Sequence, residues 1–225
     1  MKYNELDNPV WNALNEVHGE FSLDYGALKF YKQQYGPFGG FLPGSDTIGG
    51  IDLYAAKSNN FFVVGERPEY SKQLFLNNQL ICEQMVLEKP AELERKETIV
   101  PLITDRHKLE LFDLINLVYP GYYKRNTADL GRYFGIYSHN KLVAVTGERM
   151  KLNDYTEISA VVTQPEYSGK GFAKQLISHV AELIFDENKL PFLHVAETNH
   201  VAIRLYESLG FSKRQKMNFW HLMKK

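Results

Sequence analysis

At 225 residues the chain has room for one large or two small domains, each with a core of its own. Apolar residues make up 44% and charged residues 24%, which excludes a disordered or collagen-like chain. With 26 basic against 27 acidic side chains the formal charge is −1, so no electrostatic footprint points to nucleic acid or an anionic membrane as partner.

Cys82 is the single cysteine, which leaves no intrachain disulfide and no thiolate metal cluster. The first residues lack the apolar segment of a signal peptide, and no apolar run reaches the length of a membrane span. A cytoplasmic location is therefore expected.

In chain order, Asn8-Pro9 predicts a helix start, with Val10, Trp11, Leu14 and Val17 on one face. Residues 35–50 hold eight glycines and prolines and read as a loop with hydrophobic tabs at Phe38, Phe41 and Leu42. Residues 61–66 and 80–87 read as strands. The charged, proline-containing residues 88–97 mark the best boundary, giving an N-terminal region over 1–95 and a second domain over 96–225. A strand is predicted over 98–102 and a helix over 105–118, ended by Tyr119-Pro120-Gly121. Strands over 134–137 and 142–150 flank a His139-Asn140 turn, and a third covers 156–163.

That third strand runs into Ser168-Gly169-Lys170-Gly171-Phe172-Ala173, a glycine-broken turn that opens an amphipathic helix. Two glycines leave main-chain N–H groups uncovered at a helix N-terminus, where unpaired donors and the macrodipole favour an anion. The pattern suits a pyrophosphate cradle. It lacks the Gly-x4-Gly-Lys-Ser/Thr spacing of a nucleotide-hydrolysing loop. A short buried strand over 192–196 follows, then a helix from Asn199 through Tyr206 to Leu209-Gly210-Phe211, and a closing strand over 217–223.

Loop, Asn199, Tyr206 and Leu-Gly-Phe in this order resemble the GNAT superfamily of acyl-CoA-dependent N-acetyltransferases, and the likeness covers residues 98–225. Ser168 stands where that family usually has Gln or Arg, which removes side-chain help but keeps the main-chain donors. The resemblance implies an α+β fold: a mixed, mostly antiparallel central sheet flanked by helices, here with an additional N-terminal α/β region. That region reads as an extension lining the acceptor site, or as a degenerate second copy without the cradle.

The resemblance also implies roles. Acetyl-CoA is the expected cosubstrate and an amine the acceptor. The loop from Ser168 to Ala173 would hold the diphosphate, and Asn199 the pantetheine or phosphate portion, beside its plain use as a helix N-cap. Val161, Val162 and Thr163 would act through their backbones, pairing with pantetheine amides as an added strand does. An N–H near Val162 would face the developing oxyanion.

Acetyl transfer needs a neutral amine, and a lysine-like amine is mostly charged below its ordinary pKa of about 10.4. Glu157 lies where histone-type members of the family carry a catalytic glutamate, and burial among apolar neighbours would raise its pKa and make it a base. The alternative is an ion-paired or solvent-facing strand glutamate. Glu148 is the rival base, or the partner of Arg149 or another basic side chain. Tyr206, two helical turns beyond Asn199, is expected to donate to the thiolate leaving group. The seven histidines show no zinc-type spacing, so no metal is expected, and His194 and His200, which flank the second motif, read as hydrogen-bonded structural residues or else as substrate contacts. An acyl group longer than acetyl, or a non-catalytic acyl-CoA sensor, would keep the same cradle.

Overall fold

The structure, a computed structural model, describes residues 3–90, 93–94 and 96–225. In chain order its regular elements are α1 (Pro9–Asn15), β1 (Ser22–Asp24), β2 (Leu28–Tyr31), β3 (Phe38–Phe41), α2 (Ile48–Ala55), β4 (Asn60–Val64) and β5 (Leu74–Val86). The second half follows with β6 (Val100–Pro101), α3 (Asp105–Val118), β7 (Tyr133–Ser138), β8 (Lys141–Lys151), β9 (Tyr155–Thr163), α4 (Phe172–Asp186), β10 (Leu190–Ala196), α5 (His200–Ser208) and β11 (Ser212–Lys224). This is the expected mixed, mostly antiparallel sheet flanked by helices. The expected boundary near residue 95 falls where Ala91, Glu92 and Arg95 lie outside the described residues.

Among the described residues eleven strands form one sheet in the order β1-β2-β3-β4-β11-β5-β10-β9-β8-β7-β6. The order is close to a palindrome about the central β5/β11 pair. On one side β3 runs parallel to β4, and on the other β9 runs parallel to β10. Each half sends its last strand into the other: β5 pairs with β10, and β11 pairs with β4. Helix α2 connects β3 to β4 as α4 connects β9 to β10. Helix α4 buries Leu176, Ile177, Val180 and Ile184 against the second half of the sheet. Phe30, Tyr54, Phe61 and Trp220 fill the core of the first.

Residues 35–50 depart from the expected loop. Phe38–Phe41 is a buried strand, and Ile48–Ala55 a helix. Three of the glycines that argued for a loop, Gly39, Gly40 and Gly50, sit where neighbours come too close for a side chain, whereas Gly44 and Gly49 have open space. A Cβ on Gly39 would lie 2.3 Å from the Phe30 ring, and one on Gly40 would lie 2.8 Å from the backbone nitrogen of Trp11. Glycine weakens a lone strand, but it permits this close approach of backbone to ring and helix. Proline does open α1 as expected. Asn8, however, donates its side-chain amide to the Phe41 carbonyl at 2.6 Å and caps nothing.

His18, just past α1, ties the two halves together. The Leu130 carbonyl can only accept, so Nε2–H donates to it at 3.1 Å. Nδ1 then accepts from the Tyr31 hydroxyl at 2.9 Å. Burial lowers the His18 pKa from 6.5 to about 4. On acidification the unfolded chain binds this proton first, near pH 6.5, while the folded protein resists it to about pH 4. The stabilisation is complete above pH 6.5 and disappears as the pH falls to 4. Urea unfolding should show a loss on the order of 3 kcal/mol from this group across that window. A His18→Gln variant should lack that segment of the pH dependence, and an identical slope in both proteins would contradict this assignment.

Candidate active site

Strands β9 and β10 are paired only at their beginnings: Leu190 faces Tyr155, Pro191 faces Thr156 and Phe192 faces Glu157. Beyond Glu157 they part. Strand β9 stays on β8 as far as Thr163, and β10 stays on β5 as far as Ala196. The edge of β9 that faces β10 is thus free of a strand partner from residue 158 onward. Within it, the register with β8 slips between Ser159 and Val162, and Ala160 has a φ of +53°. A non-glycine residue in that region marks a bulge held by its surroundings, and such bulges re-aim the backbone.

The cleft between the parted strands opens into a cavity of about 470 Å³. Of the residues predicted from sequence, it brings together Glu157, Val161, Val162, Thr163, Ala173, Asn199 and Tyr206. Ser168, Gly169, Lys170 and Gly171 are exposed and form no part of its lining. Phe172 is buried in the core under α4, so only its main chain is available to a ligand.

The loop is built as a main-chain cradle. Gly169 and Gly171 have φ values of +78° and +79°, and a Cβ on either would meet nothing within 4 Å. Gly171 is the N-cap of α4 and offers no side chain to the first-turn N–H groups, which have no partner within the helix. Asn199 caps α5 by accepting from the Ala202 N–H at 3.1 Å while still lining the cavity. Tyr206 is buried two turns later, with burial raising its pKa, so it is a neutral hydrogen-bond donor at any ordinary pH.

At the inner end, Glu157 is 1% exposed, as burial would have it, but its neighbours are not apolar. Arg149 donates to both oxygens, Nε to Oε2 and Nη2 to Oε1, each at 2.7 Å. Arg214 can only donate, so the Gln84 carbonyl oxygen accepts from it at 2.8 Å, and the Gln84 amide nitrogen lies 3.1 Å from His194 Nε2. His194 Nε2 is then the acceptor, and its Nδ1–H donates to Glu157 Oε1 at 2.8 Å. Burial alone would raise the Glu157 pKa, but the Arg149 guanidinium and these hydrogen bonds bring it down to about 2. The expected upward shift is therefore reversed, and Glu157 is a fixed carboxylate.

Glu148 is absent from the cavity wall. It is fully buried and bound by the Arg132 side chain, by the Arg132 N–H at 3.0 Å and by Lys151 at 2.7 Å, which hold its pKa below the ordinary range against burial. Arg149 is not its partner, because successive residues on a strand point to opposite faces. His194 joins the cavity wall, whereas His200 begins α5 and is exposed.

The rest of the inner wall comes from places that motif spacing did not indicate. Tyr31, Tyr35, Gly36 and Phe38 arrive from the N-terminal half, and Tyr119, Tyr122, Tyr123, Thr127 and Leu130 from the segment after α3. Tyr133 opens β7. The Arg149 guanidinium sits 4.7 Å from the Phe38 ring centroid.

A family profile described as FR47-like protein matches residues 133–220. A solved structure described as an acetyltransferase from the GNAT family of Novosphingobium aromaticivorans is 31% identical over 99% of both chains, with a TM-score of 0.91. A GCN5-related N-acetyltransferase-like protein from Streptococcus suis shares the fold at 14% identity, covering 98% of this chain and 94% of its own, with a TM-score of 0.64. Spermidine N(1)-acetyltransferase of Vibrio cholerae is 42% identical over 53 residues, 23% of this chain and 31% of that protein. The chain thus spans about a third of the length of that curated relative. Among the described residues, no helix is long and apolar enough to cross a membrane.

Proposed function

The chain belongs to the GNAT family of acetyltransferases, and from that premise we propose that it transfers the acetyl group of acetyl-CoA to a primary amine by direct attack in a ternary complex. The observation that carries this reading is one continuous cavity. It is lined by Ala173 of α4, by the unpaired edge of β9, by Tyr206 and by the aromatic side chains of both halves. A donor and an acceptor can meet in it without a covalent acyl-enzyme.

On this reading the N–H groups from Gly169 to Ala173 take the diphosphate, without the expected help of the Ser168 N–H, which is already donated to the Pro165 carbonyl at 3.1 Å. Asn199 and the backbones of Val161, Val162 and Thr163 take the pantetheine arm, and the bulge at Ala160 aims the adjoining N–H groups at the thioester oxygen. Tyr206 donates to the departing sulfur, and the proton that the attacking amine sheds ends on that thiolate, passed through Tyr206 or water. Glu157 does not take the substrate's proton, because its affinity for one is too low near neutrality. Its role is to hold Arg149 and His194 in place. The desolvated chamber itself selects the uncharged form of an entering amine. The N-terminal half is read as a degenerate copy of the fold whose surviving task is the acceptor wall, since Tyr31, Tyr35 and Phe38 come from its strands β2 and β3 and their connection.

Coenzyme A release, measured with acetyl-CoA over a panel of small amines and peptides, tests the proposal. Turnover should appear with some amine, and Tyr206→Phe should lower kcat roughly 10- to 100-fold with little change in acetyl-CoA affinity. Absence of turnover with every amine, or an unchanged kcat in the variant, would count against it.

A further inference from the structure

Arg149 carries more hydrogen-bond donors than Glu157 consumes. Glu157 takes one edge of the guanidinium, with Nε donating to Oε2 and Nη2 to Oε1, each at 2.7 Å. A guanidinium has five N–H groups in a planar fork, so Nη1 and the outward N–H of Nη2 make up a second edge. That edge has no partner among the described residues, and it is not sealed: 17% of the Arg149 side chain is exposed, and the side chain lines the cavity. One face of the guanidinium rests on the Phe38 ring, 4.7 Å from its centroid. The open edge is thus a fixed fork on the cavity wall, the geometry that takes a carboxylate through two parallel hydrogen bonds.

Glu157 offers no converse site for a cation. Its Oε1 also accepts from His194 Nδ1–H at 2.8 Å, and its side chain is 1% exposed. Among the described residues, Arg149 and Glu157 are the charged side chains of this wall. A second ammonium group, as on a polyamine, would leave water with no free carboxylate to meet it, whereas a carboxylate would meet Arg149.

The place of the fork sets the length of what it holds. Glu157 and its partner Arg149 lie where the free edge of β9 begins, and the bulge at Ala160, assigned above to the thioester oxygen, comes three residues later. A strand rises about 3.3 Å per residue, so the two points lie roughly 10 Å apart. Contact distances of about 3 Å at each end, nitrogen to carbonyl carbon and guanidinium to carboxylate, occupy part of that span. The remainder exceeds the single carbon that separates amine from carboxylate in an α-amino acid. A short run of methylenes fills it.

Resting on the acetyl-transfer reading, we propose that the open edge of Arg149 is the specificity anchor of the acceptor site, binding the carboxylate of an ω-amino acid whose primary amine lies several methylenes away at the thioester. The anion then keeps a counter-ion when it leaves water, and the amine end enters uncharged. Transfer itself is unaltered: the N–C bond forms, the C–S bond breaks, and the proton of the amine ends on the coenzyme A thiolate.

The test is steady-state coenzyme A release by the intact protein with glycine, 4-aminobutanoate, 6-aminohexanoate, butylamine, hexylamine and spermidine. At least one of the two longer amino acids should exceed the alkylamine of equal carbon count in kcat/KM by roughly 10- to 100-fold, and should exceed glycine and spermidine as well. Arg149→Lys keeps a charge beside Glu157 but removes the fork, so it should bring that ratio towards one through KM, with acetyl-CoA affinity retained in calorimetry. Glycine, an alkylamine or spermidine turning over faster than both longer amino acids overturns the inference and leaves acetyl transfer standing. A ratio unchanged in Arg149→Lys also overturns it, and if thermal melts show that this variant does not fold, the ratios of the unaltered protein decide alone. No turnover of any of the six, with acetyl-CoA binding seen in calorimetry, removes the inference and counts against acetyl transfer as well.

Discussion

Replacing Arg149 by methionine is expected to lower stability by about 3–5 kcal/mol in urea unfolding at pH 7, since it strands a buried carboxylate. Glu157 is 1% exposed, and the guanidinium supplies two of its hydrogen bonds. Without that partner, burial dominates and the carboxyl group takes up a proton in the folded state. Its other hydrogen bond, from His194 Nδ1, then faces a neutral group. Turnover should collapse too, because His194, Glu157 and Phe38 lose the group that fixes their spacing on the chamber wall. A double variant, Arg149→Met with Glu157→Gln, should recover part of the lost stability, because it removes the unpaired charge. A cycle in which the two changes simply add would show that the pair is not coupled.

Gly171→Val is expected to weaken acetyl-CoA binding by about two orders of magnitude while costing the folded protein only about 1–2 kcal/mol. Two physical effects separate here. The strain comes from a φ of +79°, where a β-branched side chain is disfavoured. Space is not limiting, since a Cβ there meets nothing within 4 Å. The larger loss falls on the ligand, whose diphosphate needs the surface that the new side chain covers. Calorimetric titration with acetyl-CoA beside thermal melts distinguishes the two. A variant that binds normally would mean that the diphosphate lies elsewhere.

Local chemistry made much of the second half legible. His139 and Asn140 have φ values of +48° and +60°, as a tight hairpin turn demands. The glycine turn, α4 and α5 lie within a few residues of their expected bounds. Failures came where the deciding neighbour is distant in sequence. Nothing near Gly39 announces that Phe30 will press on it, so a strand read as a loop. Strand β5 is 13 residues long because β11 and β10 flank it, and both lie more than a hundred residues downstream. Arg149 was hidden by a slip in register: Lys151 faces Thr156 beside the β8/β9 turn, which would set Met150 opposite Glu157, and only the shift before the Glu148–Ile158 pair moves Arg149 towards it. The tyrosines of the chamber carried no spacing signal, because they converge from three separate stretches.

The exchanged central strands bear on how the protein can exist at all. Strand β5, from the first half, is wedged between β10 and β11 of the second, so neither half can close its own sheet alone. The β10 edge of the cleft and the tyrosine wall across from it must consequently be assembled in one cooperative event. A chain cut short before β10 would leave β5 without either of the strands that flank it.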